Sequence, residues 1–203
     1  MDNLKSYIPF VTFIMGAFMA PYIEAWKDKA KAKKIYNNFI VELNDELEDL
    51  PVKLKTMSRS LVGLKAIKDG NPIKGQLGKY VPRKMMFYFT EDAIENSFCL
   101  LSKEQRYAIK SFLLQVDALN RYMSEIKEVP LSDETLEFFI DNCKRYLYTG
   151  ASMLNTMRII TKNSHADKGS DDNKIITDIL NELDIDLSID DLIIKKSTTF
   201  KQS

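Results

Sequence analysis

The chain reads as an all-α protein, and three features predict this. Apolar residues keep an unbroken 4-3 spacing from Tyr36 to Leu64, helix-capping pairs recur where such patterns begin, and β-type alternation is scarce. The architecture expected is a single N-terminal transmembrane helix followed by a cytoplasmic antiparallel helical bundle. With 203 residues, 45% of them hydrophobic, the chain can bury one core of useful size.

Residues 1–26 are the expected membrane anchor. No charge occurs from Tyr7 to Ile23, a stretch reaching roughly 25 Å as a helix, near the lower limit for a ~30 Å hydrocarbon core. Lys5 and Glu24 flank it and can snorkel outward, while Tyr7, Tyr22 and Trp26 stand where rings favour the headgroup region. Pro9 falls in the first turn, where a missing N–H costs little, and Pro21 is expected to bend the helix. Gly16 and Ala20 have the small-xxx-small spacing that lets two such helices approach. A cleaved signal peptide fits less well, because the first residues hold Asp2 and one lysine and no A-x-A site follows. A buried helix of a soluble core is the other alternative.

Lys27, Lys29, Lys31, Lys33 and Lys34 follow the stretch, against Lys5 alone before it. This bias predicts a single-pass protein of the plasma (inner) membrane with its N-terminus out and its C-terminal domain cytoplasmic. Cys99 and Cys143 sit in apolar helical surroundings and are expected to be small core residues without a disulfide in that reducing compartment.

Residues 27–68 are expected to hold a juxtamembrane basic region and a heptad-patterned helix. Its seam is Tyr36, Ile40, Leu43, Leu47, Leu50, Leu54, Met57, Leu61 and Leu64. Pro51 interrupts it without shifting the register, which predicts a kinked long helix or two helices sharing one face. The seam serves either packing within one chain or assembly between chains, and it is the candidate assembly surface.

Residues 69–89 read as a loop, since periodicity stops amid Gly70, Pro72, Gly75, Gly78 and Pro82. Residues 90–162 are the expected bundle. Thr90 before Glu91 and Asp92 predicts a cap and a helix to about Leu101. Ser102 with Gln105 forms a capping-box pattern, opening a helix to about Glu128 that buries Ile109, Phe112, Leu113, Val116, Leu119, Met123 and Ile126. Ser132 before Asp133 and Glu134 predicts another, running to about Ile160 through Leu136, Phe139, Ile140, Cys143, Leu147, Leu154 and Met157. Residues 163–203 read as a polar linker and an acidic C-terminal segment with two short helices.

Overall neutrality hides segregated charge. From Lys53 to Lys84 nine basic residues face Asp69 alone, and from Ser164 to Asp191 nine acidic residues face Lys168 and Lys174. Both runs read as solvated faces, as an acidic tail docking on the basic segment, or as a basic segment meeting anionic lipid. Nucleic acid is disfavoured, for no binding motif accompanies the charge.

Chemistry is constrained mainly by exclusion. The single histidine, His165, lies in the polar linker, so Glu-x-x-His metal motifs, clustered Cys/His zinc sites and a supported His-dependent triad are not found. Gly70 to Gly75 has phosphate-loop glycine spacing, but Gln76 and Leu77 replace Lys and Ser/Thr. Asp184, Asp186 and Ser188 begin like a calcium loop, yet Ile189 replaces the turn glycine and Lys195 the final glutamate. Glu42, Asp45, Glu46 and Asp49 line one helix face, which reads as a solvated face. No catalytic, cofactor-binding or metal residue is assigned, and no cofactor is expected.

The function expected is therefore that of a single-pass, membrane-anchored, non-enzymatic helical module that self-associates or binds a protein partner at the cytoplasmic face. A membrane-perturbing effector, in which the oligomerised short span is controlled by the cytoplasmic domain, is the alternative. A regulator or enzyme with an unreadable ligand site is a third.

Overall fold

Helix α1 runs from Asp2 to Lys68, passing through Pro21 and Pro51 as one assigned helix. The computed structural model describes residues 2–71, 78–161 and 171–194, without the side chains of 2–9 and 11. Helices α2 (Thr90–Ser97), α3 (Lys103–Glu128), α4 (Leu136–Ile160), α5 (Asp172–Glu182) and α6 (Ile189–Leu192) follow, with a 3-10 turn at Phe98–Leu100. No strand occurs among the described residues, and the chain is all-α. Two compact units divide it within α1: Met1–Val41 with Tyr88–Leu101, and Glu42–Phe87 with Ser102–Ser203.

The second unit is an antiparallel bundle centred on α4. Gln105 Nε2 donates to the Ile160 carbonyl, and Gln115 Nε2 donates to Ser152 Oγ at 2.9 Å, so α3 and α4 run in opposite directions. Lys68 pairs with Glu137 near one end of the α1–α4 contact, and Leu54 lies under Gly150 further along. Helix α4 therefore packs on α1 and α3, and α5 and α6 cover it further. This explains why fourteen of its residues are buried, including Phe139, Ile140, Cys143, Tyr146, Leu147, Leu154 and Met157. Each large apolar side chain enclosed in this way stabilises the fold by roughly 1.5–3 kcal/mol.

The seam packs within the chain. Leu43, Leu50, Leu54, Met57, Leu61 and Leu64 are fully buried, whereas Leu47 is half-buried. Those six residues are occupied by intrachain packing and present no face for a coiled coil between chains. In the first unit, Tyr36 and Ile40 are only half-buried, and Ala32 and Phe39 are the enclosed residues. The expected register slips by one position there, because Ser97 Oγ donates to the Ala32 carbonyl at 2.8 Å and α2 defines the covered face.

Local capping decides the helix starts. At Ser102 both halves of the box form: Ser102 N–H donates to Gln105 Oε1 at 2.9 Å, and Gln105 N–H donates to Ser102 Oγ at 3.2 Å. Asp171 and Ser188 cap α5 and α6 through their side chains. Two expected caps differ. Thr90 is already helical, with a buried hydroxyl that has no hydrogen-bond partner among the described residues. The Ser132 helix begins instead at Leu136, since the Thr135 hydroxyl accepts the Ser132 N–H at 2.9 Å and donates to the Pro130 carbonyl, holding a turn first. Of the expected α3 core, Leu113 is exposed and Val116 half-buried, for they face away from α4.

The acidic C-terminal segment docks on the basic segment of the same chain. Lys65 Nζ lies 2.8 Å from Asp191 and Lys55 Nζ lies 3.9 Å from Asp184. Arg158 forks onto Glu182, one bond being 2.8 Å, while Ile176, Ile179, Leu180 and Leu192 are buried against the bundle.

Among the described residues, no helix is long and apolar enough to cross a membrane. The part of the uncharged stretch whose side chains are described, Phe10 and residues 12–23, makes roughly 20 Å of helix, against a ~30 Å core. Tyr7 and the start of the uncharged stretch lie outside the residues whose side chains are described, as do Pro72 to Leu77 of the loop and His165 of the linker.

Candidate functional site

Two surfaces carry unexplained chemistry, one in each unit. In the first unit, Phe10, Phe13, Ile14, Met15, Phe18, Met19, Tyr22, Ile23 and Trp26 are all exposed, with Phe13 at 74% and Trp26 at 72%. At 100° per residue these side chains point around the whole helix and leave no polar face. Gly16 stands open too, for a β-carbon there would meet no atom within 4 Å. Lys27, Lys29, Lys31, Lys33 and Lys34 follow, all exposed, and none is in an ion pair among the described residues.

In the second unit, Glu42, Asp45, Glu46, Glu48 and Asp49 of α1 line a cavity of about 440 Å³ with Met86 and Phe87. The segment carrying those two residues is pinned at several points. Ser60 Oγ donates to the Gly78 carbonyl and accepts the Tyr80 N–H at 3.3 Å. Lys79 Nζ donates to the Val129 carbonyl at 2.6 Å, satisfying an orphan group after α3. The Asn120 amide pairs with Met85, accepting its N–H and donating to its carbonyl, each at 3.0 Å. The Phe87 ring then meets Phe112 edge-on with centroids 4.8 Å apart.

Lys53 governs the electrostatics here. It is 9% exposed, and its Nζ lies 2.7 Å from Glu46 and 2.9 Å from Asp49. Burial pushes the Glu46 carboxyl above its ordinary range, with Lys53 opposing. For Lys53 burial acts downward, but hydrogen bonds to Glu46 and Asp49 outweigh it and hold the ammonium above its usual value. Lys53 is thus a fixed cation and no nucleophile. Burial also raises the phenols of Tyr80 and Tyr146, and the Tyr146 hydroxyl has no hydrogen-bond partner among the described residues.

With five carboxylates against one lysine, this cavity suits a cationic group and repels anions. Among the described residues no cluster of three or more His, Cys, Asp or Glu could hold a metal ion. The face expected to be solvated is therefore partly roofed. Sequence reasoning missed Lys53, Met86 and Phe87; the i,i+4 spacing of Asp49 and Lys53 was the one signal for the first.

Both cysteines are free, but only Cys143 is a core residue. Cys99 is exposed, because the helix gives way to a 3-10 turn at Phe98 and the side chain leaves the packed face. Burial pushes the Cys143 thiol up to about 12, which makes it inert at neutral pH.

No protein-family model, curated protein or solved structure matches the chain.

Proposed function

We propose that this protein is a membrane-anchored helical interaction module with no catalytic role. Its N-terminal segment enters the bilayer as a single pass, its bundle lies on the cytoplasmic side, and it acts by self-association or by binding a protein partner. One observation carries this reading. From Phe10 to Trp26, α1 exposes large apolar side chains on every face, and a helix apolar all round belongs in hydrocarbon or a protein core. A helix lying flat on a membrane would keep one polar face toward water. The lysines beyond Trp26 supply the orientation by the positive-inside bias. Since six seam residues are already buried in the bundle, self-association in this reading falls to the N-terminal segment and the outer faces of the bundle.

Membrane fractionation tests the anchor. The full chain is expected in the carbonate-resistant pellet, and a chain lacking residues 1–26 in the supernatant. Retention of the truncated chain in that pellet would remove the basis of the proposal. Orientation is read separately at exposed Cys99: a membrane-impermeant maleimide should label it only after the cells are permeabilised.

A further inference from the structure

The five lysines after Trp26 do not form a one-sided strip. Lys27, Lys31 and Lys34 are spaced i, i+4 and i+7 and share one face of α1, while Lys29 and Lys33 fall on the opposite face. All five are exposed, and no ion pair among the described residues engages them. The nearest acidic residues in sequence are Glu24 and Asp28, which leave the collar net positive. Glu91, Asp92 and Glu95 of α2 belong to the same unit and make no ion pair with it among the described residues. Immediately before the collar stands the helix surface that is apolar in every direction.

We infer that this collar binds anionic lipid headgroups on two opposite faces of the helix. The inference rests on the anchoring proposed above and names the lipid class that the anchor selects. A single protein partner would cover one side of a helix, whereas a bilayer surface surrounds one that stands in it. Charge complementarity then requires negative headgroups at the level of the lysines. Each lysine near such a surface strengthens partitioning roughly fivefold, so a net charge of about three corresponds to roughly a hundredfold preference for anionic over zwitterionic bilayers.

The test uses the full chain, diluted from detergent onto two kinds of vesicle. One is phosphatidylcholine alone; the other holds equal parts phosphatidylcholine and phosphatidylglycerol. The chain is expected to float with both but to prefer the anionic vesicles, with a preference that shrinks in high salt. Two variants probe the collar, Lys27→Gln/Lys31→Gln/Lys34→Gln and Lys29→Gln/Lys33→Gln. Both are expected to lose the anionic preference in proportion to the lysines removed while keeping the binding to phosphatidylcholine. Equal binding to both vesicles, or loss in only one variant, overturns the collar inference and leaves the anchor standing. A chain that floats with neither vesicle overturns the anchor itself. A lysine-dependent affinity for duplex DNA without an anionic-vesicle preference would assign the collar to nucleic acid instead.

Discussion

Gly150 of α4 faces Leu54 of α1 so closely that a β-carbon on the glycine would lie 2.6 Å from Leu54 Cδ2. Leu54 is fully buried, so the leucine has little room to yield. In an open helix interior, Gly→Ala stabilises by about 1 kcal/mol. Here overpacking costs about 1–3 kcal/mol and wins. Gly150→Ala is therefore expected to lower stability by up to about 2 kcal/mol in urea unfolding of the detergent-solubilised chain. Leu54→Ala alone should cost about 2–5 kcal/mol by opening a cavity, and the double variant should be less destabilised than the sum. Additivity would show that the two residues do not meet.

Lys53 is the compensating charge for a partly buried carboxylate. Lys53→Met is expected to destabilise the bundle by about 2–3 kcal/mol at pH 8, below the range for fully buried pairs because Glu46 keeps some solvent contact. The Glu46 carboxyl is already raised in the folded state, so its ionisation opposes folding as pH rises above its unfolded value. Without Lys53 this opposition grows, and the variant should recover stability on going from pH 8 to pH 5. Adding Glu46→Gln should recover much of the loss at pH 8. A pH-independent deficit would argue that lost packing, not the uncompensated charge, is responsible.

Lys65 and the Ser188 cap hold the Asp191 carboxyl down at about 2. A depressed carboxyl contributes stability that is present above its unfolded value near 4 and is lost as pH falls toward 2. Asp191 is 40% exposed, so solvent screening reduces the contribution to about 1 kcal/mol or less. Lys65→Met leaves the Ser188–Asp191 cap intact and isolates the ion pair. It should cost that amount at pH 7 and clearly less at pH 2.5, as read from urea midpoints at the two pH values. Glu182 is lowered in the same direction by Arg158, so the wild-type chain should lose more stability in acid than Asp191 alone accounts for.

Thiol chemistry should separate the two cysteines. At pH 8 the native chain is expected to react with Ellman's reagent at one site, exposed Cys99. Cys143 should react only after unfolding, being buried with its thiol pushed up to about 12. Cys99→Ser should abolish the native reaction, and a persistent signal would show that α4 opens locally.

Much of the fold was legible in short-range pattern. The Ser102–Gln105 box, the core face of α4 and most of the α1 seam depend on neighbours within one or two helical turns. The candidate sites were legible only in part. The apolar run and its lysines are local, so they stood out. The acidic cavity requires Met86 and Phe87, brought to it by contacts reaching Gly78, Tyr80 and Asn120, and no periodicity records such contacts.

By itself, then, the sequence determined an all-helical chain, the start of α3, and a charge pattern with basic and acidic segments apart. These follow from hydrogen bonds and periodicities that each segment satisfies alone. Tertiary structure decided the rest. It buried Phe39 in place of Ile40, enclosed the seam within one chain, exposed Cys99, and set Lys53 between Glu46 and Asp49. It also brought the acidic end of the chain onto Lys55 and Lys65. Which face of an apolar helix is covered, and which charge meets which, depends on partners distant in sequence.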